Sequence, residues 1–74
     1  MKSLTVLFER QPGERSYTIL DRSRMIDGNP LERFRRGDDG VLQCLIEVYG
    51  IDPDTASTIV LESKTRGSAD ITIG

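Results

Sequence analysis

Apolar residues follow two rhythms along the chain. Near the N-terminus they alternate; from residue 38 onward they recur every three or four positions. Residues 3–9 (Ser-Leu-Thr-Val-Leu-Phe-Glu) place Leu4, Val6 and Phe8 on one side of an extended chain and Thr5, Leu7 and Glu9 on the other. Residues 15–21 repeat the pattern with Tyr17 and Ile19 on one face. Pro12-Gly13 between them suits a type II turn, because proline presets φ and glycine accepts positive φ. The pattern predicts an antiparallel hairpin.

The helical rhythm is clearest from Asp38 to Gly50. Leu42, Leu45, Ile46 and Tyr49 share one face of a helix over residues 40–49, and Val41 and Val48 widen it. Asp38 or Asp39 is suited to cap its first turn, and Gly50 to end it. Ahead of it, residues 22–29 read as a connection with Met25 and Ile26 tucked beneath it and a turn at Asp27-Gly28. Asn29-Pro30-Leu31-Glu32 then carries a helix-start signature: an N-cap, proline at the first position and an acid placed for a capping box. It predicts a two-turn helix closed by Gly37, with Leu31 and Phe34 inward and Arg33, Arg35 and Arg36 projecting.

Asp52-Pro53-Asp54 is a second helix start. A helix from 53 to about 65 buries Ala56, Ile59, Val60 and Ser63, places Lys64 and Arg66 at its negative end, and stops at Gly67. The β-branched Thr55, Thr58, Ile59 and Val60 argue for strand instead, with 58–63 pairing against 69–73. Agreement of the caps at both ends favours the helix. Residues 69–73, with Ile71 and Ile73, then form a last strand beside the first hairpin. The expected fold is α+β: a small antiparallel sheet, made of the N-terminal hairpin and the C-terminal strand, packed on one face by two or three short helices. The strand alternative gives a ββαββ order resembling the ubiquitin-like β-grasp arrangement.

Seventy-four residues are expected to form one domain, 1–74. A chain of this size buries only roughly 60% of its unfolded surface, so its stability should be about 4–11 kcal/mol. Function is then expected on a surface and not in a deep pocket. A single cysteine, Cys44, excludes an internal disulfide, and a reducing, cytoplasmic location is expected. No apolar leader or membrane-length run is present, so neither a signal peptide nor a membrane span is expected.

The net charge of −2 hides an imbalance. Residues 10–36 hold seven arginines against four acids, a net +3, whereas residues 37–74 hold two bases against seven acids, a net −5. Eight of the ten basic residues are arginine, the cation favoured in bidentate and stacked contacts. The candidate binding surface is therefore Arg22, Arg24, Arg33, Arg35 and Arg36, with Phe34 among them.

Catalysis finds little material. Without histidine, a base for Cys44 or a serine must be Lys, Asp or Glu, and Cys44 sits among leucines, where burial raises a thiol's pKa. Asp38-Asp39 and Asp52-x-Asp54 lack the ligand alternation of a calcium loop and serve as caps. The glycines fall singly, with no phosphate-cradling loop. No enzyme activity, metal or cofactor is expected. The expected function is a small stand-alone interaction protein that binds a protein partner or assembles with itself, a type frequent among phage and mobile-element accessory and inhibitory factors. The alternative is a nucleic-acid-binding module built on the arginines around 33–36, against which the acidic pI of about 5.0 weighs.

Overall fold

The computed structural model describes residues 2–11 and 14–73. Strands β1 (Lys2–Gln11), β2 (Glu14–Ile26) and β3 (Asn29–Arg36) come first, followed by helices α1 (Gly37–Glu47) and α2 (Pro53–Arg66) and strand β4 (Ser68–Ile73). The sheet is antiparallel with order β3-β2-β1-β4. Both helices lie on one of its faces. The α+β expectation holds, with two helices.

The N-terminal hairpin forms as the alternation predicts. Val6 lies opposite Ile19 and Phe8 opposite Tyr17, on the face covered by the helices. The Phe8 and Tyr17 rings stack tilted, 5.2 Å apart. The Pro12-Gly13 turn lies outside the described residues. β4 closes the sheet against β1, with Ala69 opposite Val6 and Ile71 opposite Leu4.

The expected helix at Asn29 is instead strand β3. Asp27 and Gly28 both take positive φ, 52° and 81°. That is what a two-residue hairpin turn of type I′ demands, and an Asp-Gly pair supplies it. Ile26 pairs with Asn29 across the turn, so the chain reverses directly into a strand. Pro30 is tolerated because it stands near the start of an edge strand. Consequently Phe34 is not a core residue but 50% exposed, and Met25 and Ile26 are both 56% exposed instead of tucked away. β2 runs through the segment expected to be a connection.

α1 begins earlier than expected, straight after β3. Arg36 is its extended N-cap residue, with no side-chain capping bond, so neither Asp38 nor Asp39 caps it; both acids sit in the first turn. Its buried residues are Val41, Cys44 and Leu45, with Leu42 and Ile46 half-buried; past its end at Glu47, Val48 is exposed and Tyr49 buried. The apolar stripe is thus rotated from the expected one. The N–H groups of Gly50 and Ile51 return to the carbonyls of Ile46 and Leu45, and Gly50 takes the left-handed conformation.

α2 matches its prediction closely, and the β-grasp-like alternative is excluded. Asp52 accepts from the N–H groups of Asp54 (3.1 Å) and Thr55 (3.4 Å), and Pro53 opens the helix. Ala56, Ile59, Val60 and Ser63 are its buried residues, and Gly67 ends it at φ 88°. The propensity of threonine and valine for strands is outweighed here by caps at both ends and by a buried face of helical period.

Leu45 is fully buried, so Leu45→Ala should cost about 2–5 kcal/mol in urea unfolding, and half-buried Ile46→Ala distinctly less. Cys44, 3% exposed, should react slowly with a thiol reagent in buffer and rapidly in denaturant.

Candidate functional site

Strand alternation decides where the arginines go. Along β3, Leu31, Arg33 and Arg35 share the face of Asp21, Ile19 and Tyr17, which is the helix side. Glu32, Phe34 and Arg36 share the opposite, uncovered face with Leu20, Thr18 and Ser16. The five arginines therefore do not form one surface.

Arg33 is drawn into the edge of the core. Its Nε donates to the Tyr49 hydroxyl at 3.1 Å, and its guanidinium stands 5.8 Å from the centre of that ring. The Lys2 ammonium approaches the same ring at 6.0 Å. The bond to Tyr49 holds the guanidinium firmly charged, its pKa raised above an ordinary arginine's. Burial pushes the Tyr49 hydroxyl up, against the pull of Arg33. Arg35 bonds the Phe34 carbonyl at 2.6 Å and borders a shallow hollow of about 260 Å³ with Gly40, Gln43, Cys44, Glu47 and Val48. Arg36, on the other face, stands 3.6 Å from Glu14 in an exposed ion pair, a contact worth little in water.

Arg22 and Arg24 lie in an irregularity of β2. Asp21 pairs with Leu31 and Met25 with Pro30, so three residues of β2 are accommodated where β3 has none between. The Asp21 carboxylate, 1% exposed, organises this bulge by accepting from the Ser23 N–H (3.0 Å) and hydroxyl. Burial pushes the Asp21 pKa up, but the bonds from Ser23, with help from Tyr49 and the charge of Arg24, outweigh it and hold the carboxyl below its ordinary range. Arg22 Nε reaches Thr5 Oγ1 at 3.2 Å, and Thr5 donates to Asp70 at 2.7 Å. Beyond the bulge the hairpin projects as an arm: residues 22–29 are all exposed.

A second polar cluster centres on Asp38. Its carboxylate accepts from Lys64 Nζ at 2.8 Å, from the Tyr17 hydroxyl, and from Arg15 at 3.4 Å. The Lys64 bond first, then that from Tyr17, holds the carboxyl below its usual range. Burial, then the hydrogen bond to Asp38, pushes the Tyr17 phenol far above its usual value, so it remains a proton donor. Beside this cluster is an open hollow of about 590 Å³ bordered by Arg15, Arg36 and Asp39. No group of three or more metal-ligating side chains lies together among the described residues. No helix among them is long and apolar enough to cross a membrane.

The feature that sequence reasoning passed over is the uncovered sheet face. Leu7, Thr18 and Phe34 are register neighbours across β1, β2 and β3, and Thr5, Leu20 and Glu32 form the next row. Leu7 is 38% exposed and Phe34 50%. The signal was present in Leu7 and Leu20, apolar residues on the nominally polar side of each strand. Comparison with protein-family models, curated proteins and solved structures gave no match.

The depressed Asp38 pKa makes stability depend on pH. A carboxyl held below its unfolded value, about 3.9, adds stability that is complete above that value and is lost as pH falls through the folded pKa. Unfolding midpoints should therefore drop on acidification below about pH 4. Asp38→Asn, compared with the wild-type chain by thermal melts over that range, should lower stability at neutral pH and flatten this dependence. Asp38→Ala should cost more, about 1–3 kcal/mol, because the buried Tyr17 hydroxyl loses its acceptor.

Proposed function

We propose that this chain is a non-enzymatic binding module that docks a protein through the uncovered face of its sheet. The observation that carries the reading is the Leu7–Thr18–Phe34 row, exposed at Leu7 and Phe34 with half-buried Thr18 between them, on a sheet that the two helices cover on one side only. Exposed apolar residues close together on one face, with a polar rim, are the usual mark of a protein contact. Phe34 is the anchor: a large, exposed aromatic side chain on a rigid strand loses little conformational freedom when covered. Arg36 and Arg22 stand on the same face toward its opposite ends and serve as rim contacts.

The division of the arginines between two faces favours a protein partner over nucleic acid. Arg33 is committed to Tyr49, and Arg36 has Glu14 beside it. A phosphate backbone needs several cations along one track. The sheet face also carries Glu9, Glu14, Glu32 and Asp70, which repel a polyanion. Binding, not catalysis, fits the polar clusters: Asp38, Tyr17 and Lys64 satisfy one another and stabilise the fold.

The test is affinity capture from a lysate of the source cells, with the immobilised wild-type chain, Phe34→Glu and Arg33→Ala as baits, read by mass spectrometry. A partner retained by the wild type and Arg33→Ala but weakened about tenfold or more by Phe34→Glu is the expected result. Capture that depends on Arg33 and ignores Phe34 would move the site to the helix side. Salt-sensitive, micromolar binding of random-sequence DNA or RNA, abolished by alanine at Arg33, Arg35 and Arg36, would replace this reading with a nucleic-acid one.

A further inference from the structure

The arm beyond the Asp21 bulge is a second exposed apolar feature, and its charge complements the sheet face. Arg22 is bonded back to Thr5 on the sheet, and past it residues 23–29 carry Arg24 against Asp27. The open face carries Glu9, Glu14, Glu32 and Asp70 against Arg22 and Arg36, a net −2. Near the arm's tip Met25 and Ile26 are each 56% exposed, about as open as Phe34. Glu9 and Glu32 make no ion pair among the described residues. The chain thus displays an apolar projection that bears Arg24 and an acidic face with apolar residues at its centre. Laying two faces flush would oppose carboxylate to carboxylate. Laying an arm on a face opposes unlike charges and covers apolar side chains on both.

We propose that two copies of this chain form a twofold dimer in which the arm of each lies on the open sheet face of the other, Ile26 against Leu7 and Phe34, with Arg24, on the same side of the strand as Ile26, among the carboxylates of Glu9 and Glu32. The proposal rests on the reading of that face as a docking surface and names a second copy as an occupant. Twofold symmetry makes the exchange reciprocal: each copy gives an arm and receives one, so the assembly closes at two. The bulge is what makes the arm available. Three extra residues held by Asp21 interrupt the ladder and increase the local twist, so the end of the hairpin is free to leave the plane of the sheet.

Sedimentation equilibrium of the purified full chain, from about 10 µM to 1 mM at low and at high salt, tests it. The expected mass rises with concentration from that of one chain to that of two, and no further, with weaker association at high salt. Ile26→Glu (arm) and Phe34→Glu (face) should each raise the dissociation constant at least about tenfold. Both positions are exposed, so both variants should melt like the wild type. The decisive arm mixes the two variants. An arm-on-face dimer keeps one intact contact in the mixed pair, the arm of the Phe34→Glu chain on the face of the Ile26→Glu chain. The mixture should therefore associate more tightly than either variant alone. A wild-type chain that remains monomeric at all concentrations, growth beyond two copies, or a mixture no tighter than its components would each overturn the dimer. None of those results alters the affinity-capture experiment, which stands or falls on a different protein.

Discussion

Asp38 is where the sheet and both helices are tied together. It sits in the first turn of α1, accepts the hydroxyl of Tyr17 from β2, and is paired with Lys64 from the last turn of α2. Tyr17 is the largest fully buried side chain, and its hydroxyl needs an acceptor once its ring is in the core. A carboxylate at the positive end of α1 is a strong acceptor placed where the helix dipole favours negative charge. Lys64 approaches at the negative end of α2, where a cation is favoured in turn. One group thus fixes the register of two helices over the sheet. In a chain this small no large apolar core exists to do it instead.

That arrangement depends on where α1 begins. Asp38 and Asp39 have the composition of N-caps, yet the cap position belongs to Arg36, and Asp38 turns inward. The difference comes from β3. Asn-Pro-Leu-Glu has the residues of a helix start, but the preceding Asp-Gly sets a hairpin turn, and a hairpin turn makes the next residues a strand. The two local signals conflict, and pairing with β2 decides between them. Once β3 runs as a strand to Arg36, α1 must start at Gly37, whose φ of 74° makes the corner. Starting the helix there brings Val41 and Cys44 inward with Leu45 and leaves Val48 outside.

The hairpin, α2 and β4 were legible because each is specified twice, by period and by its ends. The candidate surface was less legible for the same reason that β3 was. Segment charge is a property of order along the chain, whereas a strand deals successive residues to opposite faces. Arg33, Arg35 and Arg36 make a cluster in the sequence, a projecting fringe on the imagined helix, and two separate sets on the strand. What the sequence did offer for the true open face was modest: Leu7 and Leu20 on sides expected to be polar. Only the count of covering layers turns that into a signal, since one pair of helices covers one face.

The sheet edges favour the face over an edge for the proposed association. β3 is an edge strand dense in charge, with Glu32, Arg33, Arg35 and Arg36 in four of its last five positions. β4, the other edge, is six residues long and carries Asp70 at mid-strand. Charge and brevity are the devices that keep exposed edges from templating further strands. The face has no such protection at Leu7 and Phe34. Thr18 shows that a residue of high strand propensity without a large apolar surface fits in the same row, so propensity alone does not require leucine or phenylalanine there. With the edges guarded and the centre of the face apolar, the proposed docking is a bounded, face-directed contact and not an open-ended strand addition.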